Sequence, residues 1–251
     1  MSPLLYQLSY AARQTSLALA RGGGQTKGAT RRKNRSGSSP AGRRSASGRC
    51  TLKEPFAKFV ERELGPNTLL ITCGLPGTWK TEMSEEISRI KGYPILRSDL
   101  IRLEVLKNED IFDEKVASDM SRRMAVYDET FRRADETLRS EDSAIIDATF
   151  VTQSLRRRAA ELAARHNKKF VILETNCPQE VAIARILRRT RENYESNALT
   201  ELAYLNNKKK FEKVDVDDLK RLHPDLEIVH VVVDTQYDAP EDWYIIGMEK
   251  R

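Results

Sequence analysis

The most constraining stretch of this chain is Thr68–Cys73 (TLLITC) followed at once by Gly74-Leu75-Pro76-Gly77-Thr78-Trp79-Lys80-Thr81. A short apolar run ending at glycine reads as a buried strand. The glycine-rich turn then runs into Lys80–Lys91, whose composition is helical. A strand, a tight glycine turn and a helix start place several backbone N–H groups around one point, a cup for an anion. In such a loop Lys80 faces the β- and γ-phosphates of a nucleotide, and the Thr81 hydroxyl is a ligand for Mg²⁺. Gly74, Pro76, Gly77, Thr78, Trp79, Lys80 and Thr81 form the expected nucleotide-binding set. The residue before the lysine is ordinarily glycine, because backbone and phosphate approach closely there. Here it is Trp79, whose indole must point out of the loop or displace something.

Further strands follow at Tyr93–Leu96, Ser143–Asp147, Phe170–Leu173 and Ile228–Val233, separated by helical patterns. Val116, Met120, Met124, Tyr127, Phe131, Ala134 and Leu138 recur by threes and fours and predict one face of a long helix. Gln153–Arg165 predicts another helix, and Pro178 suits the start of the next. Strands that are continuous apolar runs, alternating with helices, predict an α/β fold: a P-loop-type three-layer sandwich with about five parallel strands, helices on both faces and a helical lid.

In a parallel sheet, ligands gather beyond the carboxyl ends of the strands. The second strand ends in Arg97-Ser98-Asp99-Leu100-Ile101-Arg102, which puts Asp99 beside the loop mouth. Its carboxylate suits a general base toward a hydroxyl, and Arg102, three residues on, suits a substrate anion. The competing reading makes Ser98 or Asp99 the N-cap of the following helix. Asp147 ends the third strand on the same rim, as a substrate contact, a metal contact through water, or a turn residue. Arg185, Arg188, Arg189 and Arg191 lead into the polar stretch from Glu192 to Asn197. Arg185 and Arg189 suit a mobile lid that stabilises a transferring phosphoryl group; the alternative is a solvated basic face. Arg156, Arg157 and Arg158 are consecutive and are expected to face mainly solvent.

Charge is unevenly distributed. Residues 1–50 hold ten Lys or Arg and no acid, leaving 33 basic against 37 acidic residues in 51–251, about −4 net. A nucleic-acid partner therefore has no support from the charge of the core. The extension over 1–50, rich in Gly, Ser and Arg, is expected to be disordered, and 51–251 to form the folded domain. The extension has the composition of an organellar transit peptide, of a basic tail or of a misassigned start. The last two are favoured, with a cytoplasmic location. No apolar run is long enough for a membrane helix. Cys50, Cys73 and Cys177 and the three histidines lie outside any metal-ligand spacing, and Cys73 and Cys177 read as small buried apolar residues.

Residues 66–235 resemble the zeta-toxin and polynucleotide-kinase group of P-loop kinases. The resemblance is carried by GLPGTWKT at 74–81, RSDxxR at 97–102, DATF at 147–150, RxxxR at 185–189, SNA at 196–198 and VDT at 233–235. It implies ATP on the loop, Asp99 as base, Arg102 on the substrate, Arg185 and Arg189 on the lid, and the VDT strand end beside the adenine. Trp79 departs from the pattern. The expected function is transfer of the γ-phosphate of ATP, with Mg²⁺, to a hydroxyl on a small molecule or nucleic acid. The rival is a nucleotide-binding regulatory module without turnover. A third reading, an RNA end-processing kinase, relies on the basic extension.

Overall fold

The computed structural model describes residues 54–190, 196 and 198–251. The basic extension over 1–50, Arg191 and most of the polar stretch after it lie outside the described residues.

Seven strands form one sheet: β1 (Glu54–Pro55), β2 (Thr68–Cys73), β3 (Ile95–Arg97), β4 (Ala144–Asp147), β5 (Lys169–Asn176), β6 (Ile228–Asp234) and β7 (Tyr244–Lys250). Their order is β1-β7-β6-β5-β2-β4-β3. The five strands from β6 to β3 are parallel and match the five expected from sequence; β7 and β1 extend one edge antiparallel. Nine helices accompany them among the described residues. They are α1 (Phe56–Glu63), α2 (Lys80–Lys91), α3 (Ser98–Val105), α4 (Glu114–Ser118), α5 (Met120–Ser140), α6 (Gln153–Arg165), α7 (Gln179–Leu187), α8 (Glu201–Lys210) and α9 (Val216–Leu222).

Successive strand residues point to opposite faces, and the central strands supply both. Leu69, Ile71 and Cys73 of β2 and Ile172 of β5 pack against α5, α6 and α9 through Phe131, Leu138, Ala159 and Leu219. Leu70, Val171 and Leu173 face the other way, onto Phe59 and Val60 of α1, Met83 and Ile87 of α2, and Trp243. Every residue of β2 is buried, which is why its sequence is a continuous apolar run rather than an alternation. The layers are helix, sheet and helix, as the alternation of elements predicts.

The long helix expected from Val116 onward is divided. The Asp119 carboxylate accepts from the Arg122 N–H and caps a new helix at Met120. Met120 is consequently exposed, and the inward face begins at Val126. The arginine run also differs from expectation. Arg157 reaches the buried Asp218 from a half-exposed position and Arg158 reaches the exposed Asp128, but Arg156 is wholly buried. It donates to the carbonyls of Phe150 (3.0 Å) and Glu212 (2.7 Å) and lies over the Phe211 ring. It ties the chain after β4 to the segment before α9, because burial of a guanidinium is tolerable only where its donors are met.

Candidate functional site

The loop after β2 is shaped by close approaches. Gly74 has φ +144°, and a Cβ there would lie 2.3 Å from Thr175 Oγ1. Gly77 has φ +80°, and its Cβ would lie 2.5 Å from the Ala182 carbonyl oxygen. Both conditions exclude other residues. Thr78 Oγ1 bonds the Leu75 carbonyl (2.7 Å) and Thr175 Oγ1 (2.5 Å). Thr235 Oγ1 donates to the Thr78 carbonyl at 3.1 Å. The threonine ending the VDT segment thus holds the loop from behind, and it is absent from the lining of the cavity.

Trp79 occupies the left-handed region, with φ 60° and ψ 32°, immediately before α2. This is the conformation for which glycine is usually selected; in a bulky residue it costs on the order of 1–3 kcal/mol. The indole packs partly buried against the apolar cluster of Met83 and Trp243. The Arg185 guanidinium lies 4.6 Å above the ring centroid. A partly desolvated cation–π contact contributes about 1–2 kcal/mol, which offsets much of that backbone cost. The ring is therefore turned toward Arg185 and the core, leaving the indole Nε1 buried without a hydrogen-bond partner among the described residues.

Arg185 is almost fully buried. It donates to the carbonyls of Thr235 (2.9 Å), Gln236 (2.8 Å) and Gly77 (3.3 Å) and pairs with Asp238. It lies outside the cavity lining, a placement that differs from the expected lid position. Its chemistry here is to brace the loop. Arg189 lies beyond the end of α7 and does line the cavity.

Lys80 Nζ donates to the Leu75 carbonyl at 2.7 Å. Burial pushes its pKa below the ordinary lysine value, opposed by Asp147 and reinforced by the charge of Arg189. The Thr81 hydroxyl donates to Asp147 Oδ2 at 2.7 Å, and Thr72 Oγ1 donates to Asp147 Oδ1 at 3.1 Å. Burial raises the Asp147 pKa against the opposing pull of Thr81, Arg97 and Lys80. A buried carboxylate touching the Thr81 hydroxyl is a donor pair suited to a hard divalent cation.

Asp99 sits in the first turn of α3, and its carboxylate pairs with Arg102. The capping position is Arg97, with no side-chain cap bond, so neither Ser98 nor Asp99 is an N-cap. A cavity of about 550 Å³ brings Pro76, Gly77, Thr78, Trp79, Lys80 and Thr81 together with Asp99, Arg102, Asp147 and Arg189. Gly74 lies behind it, bonded through its N–H to the Thr149 carbonyl. α8 forms the facing wall; Tyr204 packs it onto Ala182 and Ile186 of α7, with Leu75 at the edge. Sequence reasoning missed Arg97, which reaches both Asp147 and Glu85, and Arg123, which lines the cavity from α5. Arg97 immediately precedes Ser98 and Asp99, so its position at the strand end was the available signal. Arg123 carries no local signature.

A family model described as an AAA domain matches residues 69–214, from β2 to the segment before α9. No curated protein sequence matches the chain. Among solved structures, a sugar kinase from Janibacter sp. HTCC2649 is similar at 16% identity and a TM-score of 0.51, covering 70% of this chain and 89% of that one. A gluconokinase from Sinorhizobium meliloti 1021 has 17% identity and a TM-score of 0.48, covering 68% and 85%. The first likeness is one of fold.

Proposed function

The chain belongs to the AAA-domain family, and on that premise we propose that it is an ATP-dependent phosphotransferase acting on a hydroxyl. One observation carries the reading: a single cavity is lined by both the phosphate loop and the carboxylate of Asp99. Backbone amides of the loop hold the triphosphate, and Lys80 leaves the Leu75 carbonyl for the phosphate oxygens. Thr81 and Asp147 would hold Mg²⁺, which when bound neutralises charge on the β- and γ-phosphates. Asp99 takes the proton of the acceptor hydroxyl as the acceptor oxygen bonds to the γ-phosphorus. The bond from that phosphorus to the bridging oxygen breaks, ADP leaves, and Asp99 releases its proton to solvent. Arg189 stands over the charge that spreads on the transferring group. Arg102 orients Asp99 and meets the acceptor.

The zeta-toxin and polynucleotide-kinase resemblance agrees with this reading at the loop, Asp99, Arg102 and Arg189, and departs at Trp79, at Arg185, which braces the loop instead of a lid, and at Thr235 of the VDT segment, which lies behind the loop. A second reading, a binding module without turnover, draws on Trp79 and on the resting bond of Lys80 to Leu75. A screen of hydroxyl acceptors with γ-labelled ATP separates the two. Label transfer that is lost in Asp99→Asn supports the kinase; nucleotide binding with no transfer to any acceptor supports the module.

A further inference from the structure

The cavity carries more positive charge than its loop requires. Lys80, Arg97, Arg102, Arg123, Arg189 and Lys210 line it against three carboxylates, Glu82, Asp99 and Asp147. Two of these cations are balanced where they stand: Arg102 by Asp99, and Arg97 by Asp147 and Glu85. Lys80 belongs to the loop. Arg123 is different. It comes from the first turn of α5, on the wall that also carries Arg102. The acids beside it are already engaged, since Arg122 pairs with both Asp119 and Glu109. The Arg123 guanidinium makes no hydrogen bond or ion pair among the described residues, although the residue is partly buried. A guanidinium that lines a cavity with no partner of its own is free to take an anion there.

We propose that Arg123, beside the Asp99–Arg102 pair, forms an oxyanion subsite on the acceptor side of the cavity, so that the phosphate acceptor is an alcohol already bearing a phosphate or carboxylate group. The inference rests on the phosphotransferase reading and sharpens it: the acceptor hydroxyl lies at Asp99 while its anionic group is gripped by Arg123. The planar guanidinium fork matches either oxyanion through paired hydrogen bonds.

The test uses the full chain saturated with Mg²⁺ and the β,γ-imido analogue of ATP, with analogue binding measured first by calorimetry. Inorganic phosphate and, separately, acetate are then titrated into the loaded protein. The expected result is saturable binding of at least one of them in addition to the analogue. Saturation by phosphate points to a phosphate ester, and saturation by acetate to a carboxylate. Arg123→Gln is expected to weaken that second binding roughly 10- to 100-fold while keeping analogue affinity, which also shows that the variant is folded. Equal oxyanion binding by wild type and Arg123→Gln, or no second site in the loaded protein, overturns the subsite and leaves the kinase reading intact. Loss of analogue binding in a folded Arg123→Gln assigns Arg123 to the nucleotide and also overturns it. Failure of the wild type to bind the analogue removes the kinase reading, and the subsite with it.

Discussion

The guanidinium of Arg185 stacks on the indole of Trp79 at 4.6 Å while its N–H groups reach the carbonyls of Gly77, Thr235 and Gln236. One side chain therefore fixes the left-handed residue before Lys80, the preceding turn of the loop and the end of β6. The two residues should be energetically coupled. A double-mutant cycle of Trp79→Gly and Arg185→Ala, read by urea unfolding, is expected to give a coupling of about 1–2 kcal/mol. Trp79→Gly alone should cost little, because relief of the backbone strain compensates for the lost stack. Additive effects would show that the stack does not hold the loop.

Burial opposes the charge on Lys80, so the loop is a place where function opposes stability. Its folded pKa is lowered, so in the unliganded protein the buried ammonium costs stability below that folded pKa, and the cost fades as pH rises toward the ordinary value of 10.5. Lys80→Met is expected to raise Tm at neutral pH without nucleotide, with an advantage that shrinks as the pH approaches 10. The variant should also show a much smaller thermal shift than the wild type on adding ATP and Mg²⁺. A lower Tm at neutral pH would contradict the assigned sign.

Arg156 and Arg157 are neighbours with opposite fates. Arg156→Leu leaves the Phe150 and Glu212 carbonyls, among others, without their donor. It is expected to cost about 3 kcal/mol and to lower Tm by roughly 6–12 °C. Arg157→Ala removes a bidentate but half-exposed partner of Asp218, which keeps Gln153 as a donor; it should lower Tm much less than Arg156→Leu. Thermal unfolding of the two variants side by side checks the contrast.

The fold was largely legible because continuous apolar strands and the glycine loop are local signals. The five parallel strands sit within a few residues of where the apolar runs lie. The division at Asp119 was not read, since the apolar spacing continues across it and only the carboxylate's cap bond to Arg122 marks the break. The antiparallel β7 was missed as well; its apolar run in YIIGMEK is short and interrupted by Gly247, a weak local signal even though its partner β6 is the strand just before it. In the site, Lys80, Thr81, Asp99, Arg102, Asp147 and Arg189 do share one cavity. Arg185 was assigned with Arg189 because they are four apart on one helix pattern. Spacing cannot tell that one guanidinium turns inward to carbonyls. Nor can it tell that Arg156 is the buried member of three identical residues.

The Thr81 hydroxyl donates to Asp147, and this is the pair proposed to hold Mg²⁺. Thr81→Val keeps the shape but removes the hydroxyl. It is expected to reduce the gain in ATP affinity produced by Mg²⁺ by about tenfold, with metal-free ATP affinity little changed. Calorimetric titration of ATP with Mg²⁺ and with EDTA reads both quantities. An undiminished Mg²⁺ effect would exclude Thr81 as a ligand.

Asp99→Asn is expected to lower turnover by roughly 10²- to 10⁴-fold on any acceptor that the wild type uses, with ATP affinity preserved. A parallel loss of ATP affinity would place Asp99 in nucleotide binding instead.

The nucleotide-dependent outcomes turn on whether the cup between Gly74 and Thr81 takes a triphosphate with the Trp79 indole turned away. Calorimetric titration of Mg²⁺·ATP into the wild type and into Lys80→Ala tests this most directly. Saturable one-to-one binding by the wild type, weakened at least about tenfold by Lys80→Ala, is the predicted result. Equal affinities, or no binding by the wild type, would contradict the account.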